Sequence, residues 1–226
     1  MNYRKVFPTG KQLFVVVHVE SPDQAMQNVA TAKENGADGV FLIGHRISHK
    51  ELTCCYCYVR DRVPDFFVGL NYLDLDNRQS IRLVSQLQTE AVWLDDPTPI
   101  VQLRGWQQEM AAERLIVFGG VAFKGQRAVT DPAQAAREAA PYLDVVTTSG
   151  DRTGLAPTVE KIQEMKKAIG DVPLAIASGI TSDNVAAYLA VGTDCFLVAT
   201  GISFSFAALD PAKVGALSKI IHNSTS

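Results

Sequence analysis

Short apolar runs of strand length recur along this chain, and they alternate with stretches whose apolar residues return every three or four positions. The runs lie at 13–20, 39–44, 66–71, 91–95, 115–119, 143–148, 174–178 and 195–200. Each is nearly continuous in apolar character, the pattern of a strand buried on both faces of a parallel sheet. The segments between them carry helix punctuation. Ser21-Pro22-Asp23, Thr130-Asp131-Pro132, Ala156-Pro157-Thr158 and Thr181-Ser182-Asp183-Asn184 read as starts, and Asn35-Gly36 and Val191-Gly192-Thr193 as stops. Eight strands in strict alternation with helices predict an α/β protein with one domain over 1–226, a closed (β/α)8 TIM barrel. An open doubly wound sheet is disfavoured, because no G-x-G-x-x-G follows the first strand.

Three details of the pattern are weaker. Residues 51–62 hold three cysteines and two tyrosines and suit either a helix with a broad apolar face or an irregular lid. The tripeptides Gly36-Ala37-Asp38 and Gly192-Thr193-Asp194 each feed a strand, too short a repeat to argue duplication. Residues 223–226 are expected to fray.

Composition changes this picture little. A length of 226 residues is close to that of one such barrel, about 250 residues. A net charge of −3 argues against a nucleic-acid partner, which needs a concentrated basic face. No apolar segment followed by a small-residue cleavage site opens the chain, so a cytoplasmic location without a membrane partner is expected. The four cysteines read as reduced thiols.

Barrel enzymes place their chemistry at the carboxyl ends of the strands. The polar residues there are His18 and Glu20, His45 and Arg46, Asn71 and Asp74, Asp95 and Asp96, Lys124, and Thr147, Thr148 and Ser149. Two consecutive strand ends close on a small residue plus glycine, Ser178-Gly179 and Thr200-Gly201, where backbone amides can approach a phosphate. The alternative is a pair of plain tight turns. Asp183 would oppose an anion and reads as a helix cap. The loop 149–154, with Ser149, Gly150, Thr153 and Gly154, suits the body of a polar ligand, as does Asn71. One of Asp95 and Asp96 should face the barrel mouth, as a general base, a holder of Mg²⁺ through waters, or a binder of a sugar diol. His18 and Glu20 share one face of the first strand and could form an acid/base couple. His45, His49 and the three clustered cysteines invite a zinc reading, but no second cluster closes a tetrahedron and no metal is expected. Phe41 and Trp93 read as core filling.

Two segments resemble a known family. GLNYLDLDNRQSIRLVSQLQTEAVWLDD at 69–96 is similar to the "G-x-N-x-L-x-N-D" strand and following helix of the BtpA/SgcQ family, named for a protein implicated in photosystem I biogenesis. Residues 145–203 resemble that family's "TG-x-x-TG-x-x-P" loop and its "GSG-V-T-x-x-N" turn. The family's N-terminal "H-L-x-P-L-P-G" is represented only by His18-Val19-Glu20, and its "E-N" after strand two is Gly44-His45-Arg46 here. The resemblance implies a ribulose-phosphate-binding type barrel. Phosphoribosylanthranilate isomerase shares that barrel type and pairs a strand-one cysteine base with a strand-four aspartate acid. Asp95 could match the aspartate, whereas strand one offers His18 or Glu20.

The expectation is therefore an enzyme, an isomerase or a lyase, acting on a phosphorylated sugar or nucleotide-like metabolite. Asp95 with Glu20 or His18 would move protons. Asn71, Ser149, Gly150, Thr153 and Gly154 would hold the ligand body, and Ser178, Gly179, Thr200 and Gly201 the phosphate. No cofactor is expected, with Mg²⁺ left open. Self-association through outer helices is an expectation, and a non-catalytic metabolite-binding or assembly/regulatory barrel is the alternative function.

Overall fold

A computed structural model describes residues 2–224. Eight parallel strands close in sequence order: β1 (Gln12–His18), β2 (Gly39–Ile43), β3 (Phe67–Asn71), β4 (Ala91–Leu94), β5 (Ile116–Gly120), β6 (Val145–Thr148), β7 (Leu174–Ile176) and β8 (Cys195–Val198). A short helix α1 (Tyr3–Val6) precedes them, and helices follow the strands in turn. These are α2 (Pro22–Glu34), α3 (His49–Arg60), α4 (Asn77–Gln86), α5 (Leu103–Glu109), α6 (Pro132–Ala139), α7 (Val159–Ile169), α8 (Val185–Ala190) and α9 (Pro211–Asn223). A hairpin of β9 (Ser203–Ser205) and β10 (Ala208–Leu209) sits between β8 and α9. The predicted (β/α)8 barrel is the fold found.

The strands end one to two residues earlier than the apolar runs at β1, β2, β4, β7 and β8. At the mouth the chain leaves the ladder to enter a loop while still partly covered, so hydrophobicity outlasts pairing. The uncertain segment is a helix. In α3 a capping box joins Ser48 and Glu51, and Leu52, Cys55, Tyr56 and Val59 are buried at the spacing of one helical face. Asp183, expected as a cap, is exposed and caps nothing. Asn184 instead links the turn, accepting from Thr181 N at 2.9 Å and donating to the Gly179 carbonyl at 2.8 Å. Of the tail expected to fray, Asn223 is the last residue of α9, and residues 225–226 lie outside the described ones.

Two cores result from the alternation of side chains along each strand. Val15 and Val17 of β1 face outward into a layer shared with the helices, while Phe14 and Val16 face the lumen. The lumen is aromatic. Phe14, Phe41, Phe67 and Phe118 meet with ring centroids 4.9–6.3 Å apart, a geometry that adds about 0.5–1.5 kcal/mol per pair to simple burial. Beneath them Tyr3 of α1 is fully buried, its hydroxyl 2.6 Å from Gln12 Oε1, and Phe7 packs on Phe14 and Phe67. The first residues thus plug the barrel floor. Gly69 makes room for this cluster, since a Cβ there would stand 2.2 Å from the Phe41 ring.

The repeated Gly-x-Asp tripeptides have a physical cause. Asp38, just before β2, accepts from the amide of Leu13 at 2.7 Å, and its own amide donates to the Leu13 carbonyl at 2.9 Å. Asp194 before β8 does the same with Leu174, at 2.9 and 3.0 Å, and Asp144 before β6 with Val117, at 3.1 Å for both. Each carboxylate staples the start of its own strand to the start of the preceding one. Asp194 is the most heavily engaged, taking in addition Arg4, Lys11 and Lys166.

Replacing Asp194 by Ala leaves a buried amide and three cations without their acceptor. Chemical denaturation should show a loss of about 3 kcal/mol of stability. A change under about 1 kcal/mol, the size of a surface pair, would show that the staple does not hold the rim.

Candidate functional site

A cavity of about 310 Å³ opens at the carboxyl ends of the strands. Its floor is the upper lumen, Val16, Ile43, Trp93 and Leu197. Side chains from β1, β2, β4 and β5 form one side, and the backbone of the loops after β6, β7 and β8 forms the other.

His18 is the last residue of β1 and lines the cavity, with its ring stacked on Phe206 of the hairpin at 4.2 Å and 12°. Burial, reinforced by His45 and then Lys124, holds its pKa down to about 4. His18 is neutral at neutral pH. Among the described residues its Nδ1 is buried without a partner, as is Trp93 Nε1, and both residues line the cavity. Unpaired buried polar atoms call for water or a ligand. Glu20 does not join the cavity. Val19 donates to the Ile43 carbonyl and the chain then turns, so Glu20 is exposed and pairs with Arg46 at 3.5 Å. The same-face expectation assumed a strand that runs two residues further than it does.

Asp95 is the inward member of its pair, whereas Asp96 is exposed and accepts from Thr98 N at 3.1 Å. Asn71 is buried and donates to Asp95 Oδ1 at 3.0 Å, which makes it a positioning group behind the cavity surface. Burial raises the Asp95 pKa above the usual carboxylate range. The Asn71 hydrogen bond and the charges of Lys124 and His45 oppose that rise. His45 is lowered by burial, with Asp95 opposing and Lys124 and Arg46 adding to the effect. Asp74 lies elsewhere, bound to His49 at 2.9 Å.

The loop after β6 contributes in two halves. Thr153 and Gly154 line the cavity. Ser149 and Gly150 are buried behind it, the Ser149 hydroxyl accepting from Lys124 N and donating to the Gly150 carbonyl, each at 2.8 Å. Thr147 fills the lumen, and Thr148 donates to the Ala122 carbonyl at 3.3 Å.

Ser178, Gly179, Thr200 and Gly201 all line the cavity. Among the described residues, the amides of Gly179 and Gly201 donate to no protein acceptor. Gly179 is required here. Its φ is +66°, and a Cβ would stand 2.1 Å from Ala156 N, so the β6 and β7 loops touch backbone to backbone. Ser178 Oγ is already engaged, accepting from Gly154 N at 3.1 Å and contacting the Arg152 carbonyl, so it ties the two loops together.

Among the described residues no three His, Cys, Asp or Glu side chains are grouped to hold a metal ion, and no helix is long and apolar enough to cross a membrane. Sequence reasoning missed Phe206. The alternation Phe204-Ser205-Phe206 beyond the last barrel strand was its available signal, and it lies outside the strand–helix cadence.

No family model and no curated protein matches this sequence. Its structure is similar to 3-hexulose-6-phosphate synthase from Salmonella typhimurium, with a TM-score of 0.73 and 16% identity over 94% of this chain and 99% of that one. Thiamine phosphate pyrophosphorylase from Pyrococcus furiosus gives 0.71 and 16% over 95% and 97%. (S)-3-O-geranylgeranylglyceryl phosphate synthase from Thermoplasma acidophilum, in complex with sn-glycerol-1-phosphate, gives 0.70 and 14% over 98% and 97%. What the chain shares with them at these identities is the closed (β/α)8 barrel.

Proposed function

We propose that this protein is an enzyme, an isomerase or a lyase, that acts on a phosphorylated sugar or nucleotide-like metabolite by acid–base chemistry, as a phosphate-binding barrel of the BtpA type. One observation carries the reading. A single cavity has free backbone amides of Gly179 and Gly201 on one side and His18, His45, Asp95 and Lys124 on the other. Amides without acceptors suit phosphate oxygens, which need no counter-charge beyond oriented N–H dipoles. The solved structures of similar fold include proteins named for phosphorylated compounds, which supports the same ligand class.

With phosphate held at the β7 and β8 loops, the carbon skeleton lies across the lumen toward β4 and β5. Asp95 then takes or returns a proton at a sugar carbon. Its raised pKa brings it nearer the value at which one group both accepts and donates at neutral pH. Neutral His18 supplies a hydrogen bond or a second proton-transfer group from β1. Glu20 has no part, because it stands outside the cavity.

Asp95→Asn keeps the Asn71 contact and removes the titrating oxygen. Turnover of the substrate, found by thermal-shift screening of ribose, ribulose and triose phosphates, should fall about 10²–10⁴-fold, with phosphate binding unchanged. Retained turnover would remove Asp95 from the mechanism.

The depressed pKa of His18 also has a sign. The unfolded chain binds its proton below about 6.5 and the folded one only below about 4, so stability from this group is lost as pH falls across that window and changes no further below it. His18→Gln should therefore flatten the decline of unfolding free energy between pH 6.5 and 4. Identical slopes in both proteins would show that His18 is not held neutral.

A further inference from the structure

The segment between β5 and α6 is built to aim one side chain. Ala122 has φ of +48°, a left-handed conformation that costs a non-glycine residue on the order of 1 kcal/mol. Its carbonyl is held by Lys161 Nζ at 2.7 Å and by Thr148 Oγ1 at 3.3 Å. Phe123 is buried edge-on to Trp93, and its amide donates to Gln126 Oε1 at 3.0 Å. Gln126 Nε2 donates to the Asp95 carbonyl at 2.8 Å and the Gly120 carbonyl at 2.9 Å. Between these anchors, Lys124 N donates to Ser149 Oγ at 2.8 Å. The backbone of Lys124 is thus fixed to β4, to β5 and to the residue following β6.

The ammonium groups of the two lysines in this region are used differently. Lys161 Nζ is bound by two carbonyls, Ala122 and Ser149. Among the described residues Lys124 Nζ has no hydrogen bond and no ion pair within 4.0 Å. It lies 5.2 Å from the Phe123 ring and lines the cavity beside Asp95 and His45. Burial pushes its pKa below the usual lysine range, with Asp95 opposing the shift. A half-buried lysine held on a rigid turn, its ammonium engaged in no hydrogen bond among the described residues and facing the cavity, is equipped to attack a carbonyl.

We propose that Lys124 is the nucleophile of this site and forms an imine with the carbonyl carbon of a phosphorylated aldose or ketose. The inference rests on the phosphorylated-sugar reading above and adds a covalent step to it. The Nζ lone pair forms the C–N bond while the carbonyl π pair moves to oxygen, and one proton of the now cationic nitrogen passes to that oxygen, giving a neutral carbinolamine. Asp95 in its protonated form donates to the hydroxyl, which leaves as water as the nitrogen lone pair forms C=N. The resulting iminium withdraws electrons from the adjacent C–H or C–C bond, and the Asp95 carboxylate accepts the proton released. Asp95 returns the proton to a carbon of the enamine so formed, which regenerates an iminium, and water adds to its C=N to release a carbonyl product and restore the amine, so no oxidant or reductant is required.

Borohydride reduces an imine to a stable secondary amine. The protein is incubated with dihydroxyacetone phosphate, glyceraldehyde 3-phosphate, ribose 5-phosphate or ribulose 5-phosphate, then with sodium borohydride, and analysed by intact mass and peptide mapping. One reduced adduct per chain is expected, on Lys124 and not on Lys161, and suppressed by inorganic phosphate. Lys124→Met and Lys124→Arg should lose the adduct while keeping the thermal shift given by inorganic phosphate. A probe that stabilises the protein yet leaves no adduct, or an adduct spread over other lysines, overturns the imine and leaves the phosphorylated-sugar reading standing. Absence of stabilisation by every probe and by inorganic phosphate overturns both.

Discussion

Filling of the barrel lumen is the constraint on which the rest depends. A closed ring of eight strands turns every second side chain into a space that only packed side chains can occupy. Four phenylalanines and the Tyr3–Phe7 plug pack the lower part, and Trp93 stands above them at the cavity floor. Burial of each such ring contributes about 1.5–3 kcal/mol. Its upper layer must then be whatever the last inward position of each strand supplies. The polar residues among those positions are His18, Asn71 and Thr147, with Asp95 one residue past β4, and of these His18 and Asp95 line the cavity.

That inheritance explains what could be read from the sequence. Alternation along β4 makes Asp95 and not Asp96 the inward carboxylate once Trp93 is known to be inward, and Trp93 is the bulky residue of its run. Continuous apolar runs located all eight strands for the same reason. Glu20 was misplaced because alternation holds only while pairing lasts, and β1 stops at His18. Ser149 and Gly150 were read as ligand contacts from their residue types, but their atoms are committed to the Lys124 turn and to packing behind the surface. Phe206 and the plug at Tyr3 were missed because neither belongs to a strand–helix unit. Their contacts join residues far apart in sequence that no local period connects.

Electrostatics in the cavity follow from the same crowding. His45 and Lys124 stand near the Asp95 carboxylate and His18 beside His45, and burial presses each of these three bases toward its neutral form. An anion bound among them restores the charge that desolvation suppresses. Binding and protonation are therefore coupled, and an anionic ligand raises the proton affinity of the groups beside it. Asn71 limits the reverse effect on Asp95 by holding one of its oxygens as an acceptor.

The hairpin that carries Phe206 is rooted in a helix on the far side of β1. The Ala207 carbonyl accepts from both Gln24 and Asn28 of α2 at 2.8 Å, and Asn28 Oδ1 accepts from Leu209 N at 3.0 Å. Gln24 also donates to the carbonyl of His18, the residue on which Phe206 stacks. The aromatic rim of the mouth and the histidine beneath it are thus fixed to one scaffold and keep their spacing as a unit. Evolution can resize this mouth by changing the four residues from Ser203 to Phe206, leaving the barrel strands and the amides of Gly179 untouched.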